Sequence, residues 1–99
     1  MSSEAAVEAC RQLRELTADG YPVNWLARQT HTAPSTLYAI RAGQRQFIHW
    51  TVAEVIDDAY RTLHGTDPTT RGLTHGAIGT ALLTAGRNGW TSTREEVTT

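Results

Sequence analysis

The chain has 99 residues, 39% of them hydrophobic, and a formal net charge of −1. This length suits one domain with a modest core, and the composition lies above the disordered range. The near-zero charge argues against a general nucleic-acid coat, the single cysteine excludes an internal disulfide, and no stretch approaches the ~20 apolar residues of a membrane helix.

The spacing predicts a first helix over 4–18, with Val7, Cys10, Leu13 and Leu16 stepping by three and Glu8, Arg11, Arg14 and Glu15 opposite. Ser3 is its expected N-cap, and Asp19-Gly20 its stop. Cys10 reads as a small buried residue. A second helix runs from Pro22 or Val23 to about Thr30, with Leu26, Ala27 and one of Val23 or Thr30 inward. His31-Thr32-Ala33 is a short turn. Pro34 opens a third helix that ends near Ala42 at Gly43, with Leu37 and Ile40 as its core residues.

Residues 44–49 read as a linker from which Phe47 or Ile48 returns to the core. Thr51-Val52-Ala53-Glu54 has the capping-box pattern and predicts a fourth helix from about Val52, with Val52, Ile56, Ala59, Tyr60 and Leu63 on its apolar face. His64-Gly65 and Asp67-Pro68 end it. A fifth helix, about 70–85, carries Ile78, Ala81, Leu82 and Ala85 as a stripe; Gly72, Gly76 and Gly79 weaken it by about 1 kcal/mol each. Gly86 and Gly89 are stop signals, Trp90 is expected to fold back as an anchor, and 91–99 is expected to be a disordered tail. The predicted class is all-α: a compact bundle of four to five helices containing a helix-turn-helix over 1–66, extended by 67–90.

Charge is unevenly spread. Between Asp19 and Glu54 there is no acidic residue, and the window holds Arg28, Arg41 and Arg45 with His31 and His49. All 9 basic residues are arginine, a bias that with the abundant Ala, Gly and Thr points to GC-rich coding. The lone cysteine and the absence of an apolar leader over Met1–Arg11 give the expectation of a reducing, cytoplasmic compartment.

Two short helices joined by a three-residue turn, with small Ala27 inside the first and Leu37 and Ile40 locking the second, meet the demands of a helix-turn-helix. The segment Gly20-Tyr21-Pro22-Val23-Asn24-Trp25-Leu26-Ala27, followed by Pro34-Ser35-Thr36-Leu37-Tyr38-Ala39-Ile40-Arg41-Ala42-Gly43, resembles the Cro/C1-type (XRE-like) DNA-binding proteins, in their small actinobacterial or actinophage form. Gly89-Trp90 resembles a motif that follows the domain in those relatives. This chain carries His31 where the family has a turn glycine, Thr32 for Val or Ile, Ala33 for a capping serine and Val23 for a phosphate-binding glutamine.

The resemblance implies a transcriptional regulator, a repressor or control protein, that binds double-stranded DNA as a homodimer in a bacterial cell or phage-infected host. On a recognition helix the N-terminal part faces the base edges. That gives Pro34, Ser35, Thr36 and Tyr38 to the major groove, with Arg41 one turn further. Arg28, Gln44, Arg45 and Gln46 are the expected backbone contacts. The alternative is a protein-interaction module on the same fold, such as a phage-encoded protein that binds a host protein through Trp25, Tyr38 or residues 78–90. Trp25 is open to packing on helix one, DNA contact or a partner interface. No phosphate loop, nucleophile elbow or His-Glu-x-x-His pattern is present, and the four histidines are too dispersed for a metal pair. No enzyme activity, cofactor or metal is therefore expected.

Overall fold

A computed structural model describes residues 3–91. These described residues form five α-helices: α1 (Ser3–Ala18), α2 (Val23–Thr30), α3 (Pro34–Arg41), α4 (Trp50–Leu63) and α5 (His75–Asn88), with a 3₁₀ turn at Pro68–Arg71 before α5. No β-strand and no helix long and apolar enough to cross a membrane occurs among the described residues. The expected tail lies outside the described residues beyond Thr91.

The core is one cluster. Leu13 and Leu16 of α1 meet Val23, Leu26 and Ala27 of α2, Leu37 and Ile40 of α3, and Ile56 and Leu63 of α4. Of the two linker candidates, Ile48 is buried and Phe47 is exposed. Val23, not Thr30, completes the inner face of α2. Tyr21 is fully buried and its hydroxyl bonds the Thr66 hydroxyl, which ties the α1–α2 turn to the end of α4. Buried Asp19 does the same by accepting from the Gly65 amide at 3.2 Å.

The α1 stripe differs from the expectation. Ala6, Ala9, Leu13 and Leu16 face inward, Val7 is 71% exposed and Cys10 is intermediate. The three-residue step drifts off a 3.6-residue period, so its first members leave the core face. Ala6 and Ala9 take their place on the face of α1 that α4 and α5 pack against. Gln12 is also buried and donates to Asp57 of α4 at 2.8 Å.

The start of α4 also differs. It begins at Trp50, and the His49 ring, not Thr51, is the cap: Nδ1 accepts the Thr51 amide at 3.2 Å. The fifth helix starts and ends later than expected, from a Thr74 cap whose hydroxyl accepts the Ala77 amide. Gly72 falls outside it, in the left-handed close of the 3₁₀ turn, and Gly86 is accommodated inside it.

Helix termination follows one pattern. After α1, α3 and α5 a glycine with positive φ is followed by a residue whose amide returns to the helix: Tyr21 to Leu16, Gln44 to Ala39, Trp90 to Ala85. These are Schellman-type ends, which satisfy carbonyls that otherwise lack a partner. At α1 the glycine is required twice over. Gly20 has φ +104°, and a Cβ there would lie 3.0 Å from Ile78 of α5 and 3.0 Å from Pro68.

Candidate nucleic-acid interface

The turn between α2 and α3 is set by His31, whose φ of 54° and ψ of 38° place it in the left-handed region. It is the only non-glycine residue with positive φ among the described residues. Histidine enters this region more readily than branched residues do, so the turn that favours glycine closes without one. Thr32 then donates its amide to Ala27, and Pro34 restarts the helix at its first turn, where the missing N–H costs nothing. Buried Ala27 lets the two helices approach, while Leu37 and Ile40 fix the inner face of α3.

The outer face of α3 carries the sequence-predicted residues. Pro34 and Ser35 are exposed, Thr36 is half-buried and Tyr38 is 44% exposed. Arg28 lies on the last turn of α2, in a groove with Asn24, His31 and Pro34, and is exposed. Gln44, Arg45 and Gln46 are exposed beyond the end of α3. Gln44 shares a groove with Ser35 and Tyr38, whereas Arg45 faces a neighbouring groove lined by Val7, Cys10 and Arg14. Gln46 lines neither of these grooves.

Arg41 is placed differently. Its spacing from Ser35 and Tyr38 predicts a third side chain on the groove-facing side, but it is half-buried and engaged within the protein. Its Nη1 donates to the Thr17 hydroxyl at 3.2 Å, and its guanidinium lies 5.0 Å from the Tyr38 ring centre and 5.1 Å from that of Trp90. Burial lowers its pKa below the usual arginine value; the nearby Arg14 charge acts in the same direction and Tyr38 opposes it. The cause of this placement is the end of α5, which sets Trp90 beside α3 through the Trp90 to Ala85 backbone bond.

Arg14 was not legible as part of this face. On the α1 pattern it belongs with the solvent-side charges. In the fold its Nε donates to the Arg41 carbonyl at 2.9 Å, and its guanidinium also lies over Trp90, at 5.3 Å. Cys10 donates its thiol to the same carbonyl at 3.4 Å. The C-terminus of α3 is thus held from α1, an arrangement that no local pattern announces.

Charge is partitioned by pairing. Among the described residues the ion pairs are Arg11 with Glu8 and Glu15, and Arg61 with Asp57 and Asp58, all on α1 and α4. Arg14, Arg28, Arg41 and Arg45 take part in none of them. The arginines around α3 are thus outside the ion pairs that hold α1 and α4, although Glu15 lines the same groove as Arg14 and Arg45. Trp25, left open by its sequence position, is half-buried and tilts against Tyr21 with ring centres 5.3 Å apart. Among the described residues no three His, Cys, Asp or Glu side chains form a possible metal site. No family model, curated protein or solved structure matches the chain.

Proposed function

We propose that the chain is a sequence-specific DNA-binding regulator that lays α3 in the major groove. The observation that carries this reading is the exposed outer face of α3, flanked by arginines that pair with no carboxylate among the described residues. Ser35 and Tyr38 project from the first two turns, where a recognition helix meets base edges. Arg28, Gln44, Arg45 and Gln46 stand around it as contacts to the phosphate backbone. A small helix-turn-helix protein reads enough bases by binding as a symmetric pair, and the exposed Leu82 and Leu83 of α5 offer apolar surface for that pairing.

A second reading has its own observation. Phe47 and Trp50 are exposed on either side of Ile48, and His49 stacks on Trp50 with ring centres 5.9 Å apart. Exposed aromatic surface of this kind suits a protein partner. Selection of duplexes from a random pool at near-physiological salt separates the two. An enriched motif is the expected result; a pool that stays random would overturn the DNA reading and favour the protein partner.

A further inference from the structure

One groove beside α3 has a chemistry that base reading does not use. It has a volume of about 760 Å³, and Ser35, Tyr38, Gln44, Arg14, Asn88 and Trp90 are among the residues that line it, with Arg41. Two arginine cations meet there. Arg14 and Arg41 both lie over the Trp90 ring, at 5.3 and 5.1 Å, and Arg41 also lies over Tyr38.

Helix termini explain part of this. The carbonyl end of α3 attracts cations, and Arg14 Nε answers it directly. That use leaves most of the donors over. Neither terminal nitrogen of Arg14, nor Nε or Nη2 of Arg41, makes a hydrogen bond among the described residues. Aromatic faces attract a cation but accept few hydrogen bonds, so the rings hold the guanidiniums in place without satisfying them. Two like charges in a half-buried cleft repel unless an anion joins them, and planar guanidiniums match a tetrahedral oxyanion with paired N–H groups.

We propose that Arg14 and Arg41, braced by Trp90, form a binding site for a phosphate group at the flank of α3. The phosphate has two sources: a phosphodiester of the duplex in which α3 sits, or a free phosphate or nucleotide that reports to α3 through Arg41 and Tyr38. The first source rests on the DNA reading; the second does not. In either case the site lies where α5 meets α3, so the end of the fifth helix becomes part of the ligand surface.

The test uses the full chain with Trp25→Phe and Trp50→Phe, which leaves Trp90 as the sole indole. Inorganic phosphate and then pyrophosphate are titrated at constant ionic strength, with chloride as control. A saturable change in Trp90 emission is expected for phosphate and not for chloride, weakened about tenfold or more in Arg14→Gln and in Arg41→Gln, as for loss of a hydrogen bond between charged groups. Circular dichroism checks that each variant folds. If Arg41→Gln does not, Arg14→Gln and the arginine Nε–H signals of the parent protein decide. Duplex DNA is titrated in parallel. If duplex binding in Arg14→Gln loses about one unit of salt slope, the phosphate belongs to DNA. If phosphate saturates the site while duplex binding is absent or unchanged by Arg14→Gln, the ligand is a free phosphate. Duplex binding with no Trp90 response to any phosphate, and with Arg14→Gln equal to the parent, would overturn the site and leave the DNA reading standing.

Discussion

The Arg41 guanidinium lies 5.1 Å from the centre of the Trp90 ring, so a residue at the end of α3 is held by the residue that follows the end of α5. The same ring takes Arg14 from α1. Three elements are therefore joined through one indole. Trp90→Ala should lower stability by about 1–2 kcal/mol, the range for cation–π contacts that are partly desolvated. Helix content should stay, because Gly89 and the Trp90 amide close α5 through the backbone. Urea unfolding followed by circular dichroism gives both numbers, and an unchanged midpoint would show that the ring holds nothing.

Leu37 and Val7 make a matched pair. Leu37 is fully buried, and its truncation to alanine should cost about 2–5 kcal/mol. Val7 is 71% exposed, so Val7→Ala should stay within about 0.5 kcal/mol of the parent. Thermal melts of the two variants compare the simple three-residue stripe with the observed face of α1. Equal losses would mean that Val7 belongs to the core after all.

Much of the fold was legible in the residues themselves. Pro22, Pro34, Gly20, Gly43 and Gly89 punctuate the chain within two residues of the places where helices start and stop, because their backbone rules act locally. Leu26, Ala27, Leu37, Ile40, Ile56 and Leu63 are buried together as their spacing predicts. The misses have local and distant causes. Val7 lost its place because a three-residue step drifts off the helical period and brings Ala6 and Ala9 to the inner face, and His49 took the cap of α4 because a ring nitrogen reached an amide that the Thr51 pattern had claimed. At the candidate site, the exposure of Ser35 and Tyr38 follows from their positions opposite Leu37 and Ile40 on α3. The half-burial of Arg41 was not legible, since nothing near it in sequence reveals that Arg14 and Trp90 close around it.

Gly20 and Gly79 should respond in opposite directions. At Gly20 an alanine meets both a positive φ and the 3.0 Å approach of Ile78 and Pro68. Gly20→Ala should therefore destabilise by more than about 1 kcal/mol. Gly79 lies inside α5 with nothing within 4 Å of an added Cβ, so Gly79→Ala should stabilise by up to about 1 kcal/mol. Paired urea titrations read the sign of each change. A stabilised Gly20→Ala would contradict the packing of α5 on the α1–α2 turn.

The cluster on α1 gives a pH prediction. A side-chain hydrogen bond from Arg11 is the main cause that holds the Glu8 pKa below the usual carboxylate range, against some burial and the Asp57 charge. A group depressed in the folded state stabilises above its unfolded pKa of about 4.3, and loses that contribution as pH falls through the folded value. Glu8 is exposed, so the effect is small. Glu8→Gln should therefore unfold at nearly the parent midpoint near pH 3 and slightly below it at pH 7. NMR titration of the Glu8 side chain should place its midpoint below the ordinary glutamate value of about 4.3; a midpoint above that value would contradict the pairing.

In the proposed complex α3 reads bases while the arginines around it hold phosphates. The most direct measurement is the affinity of the parent, Tyr38→Ala and Arg28→Ala for a selected duplex and for a mixed pool, each at two salt concentrations. Salt-dependent binding by the parent is the expected result. Tyr38→Ala should lose about 1–3 kcal/mol on the selected duplex and little on the pool, while Arg28→Ala should weaken both alike and reduce the salt slope by about one. No detectable binding of the parent to either duplex at low salt would contradict it.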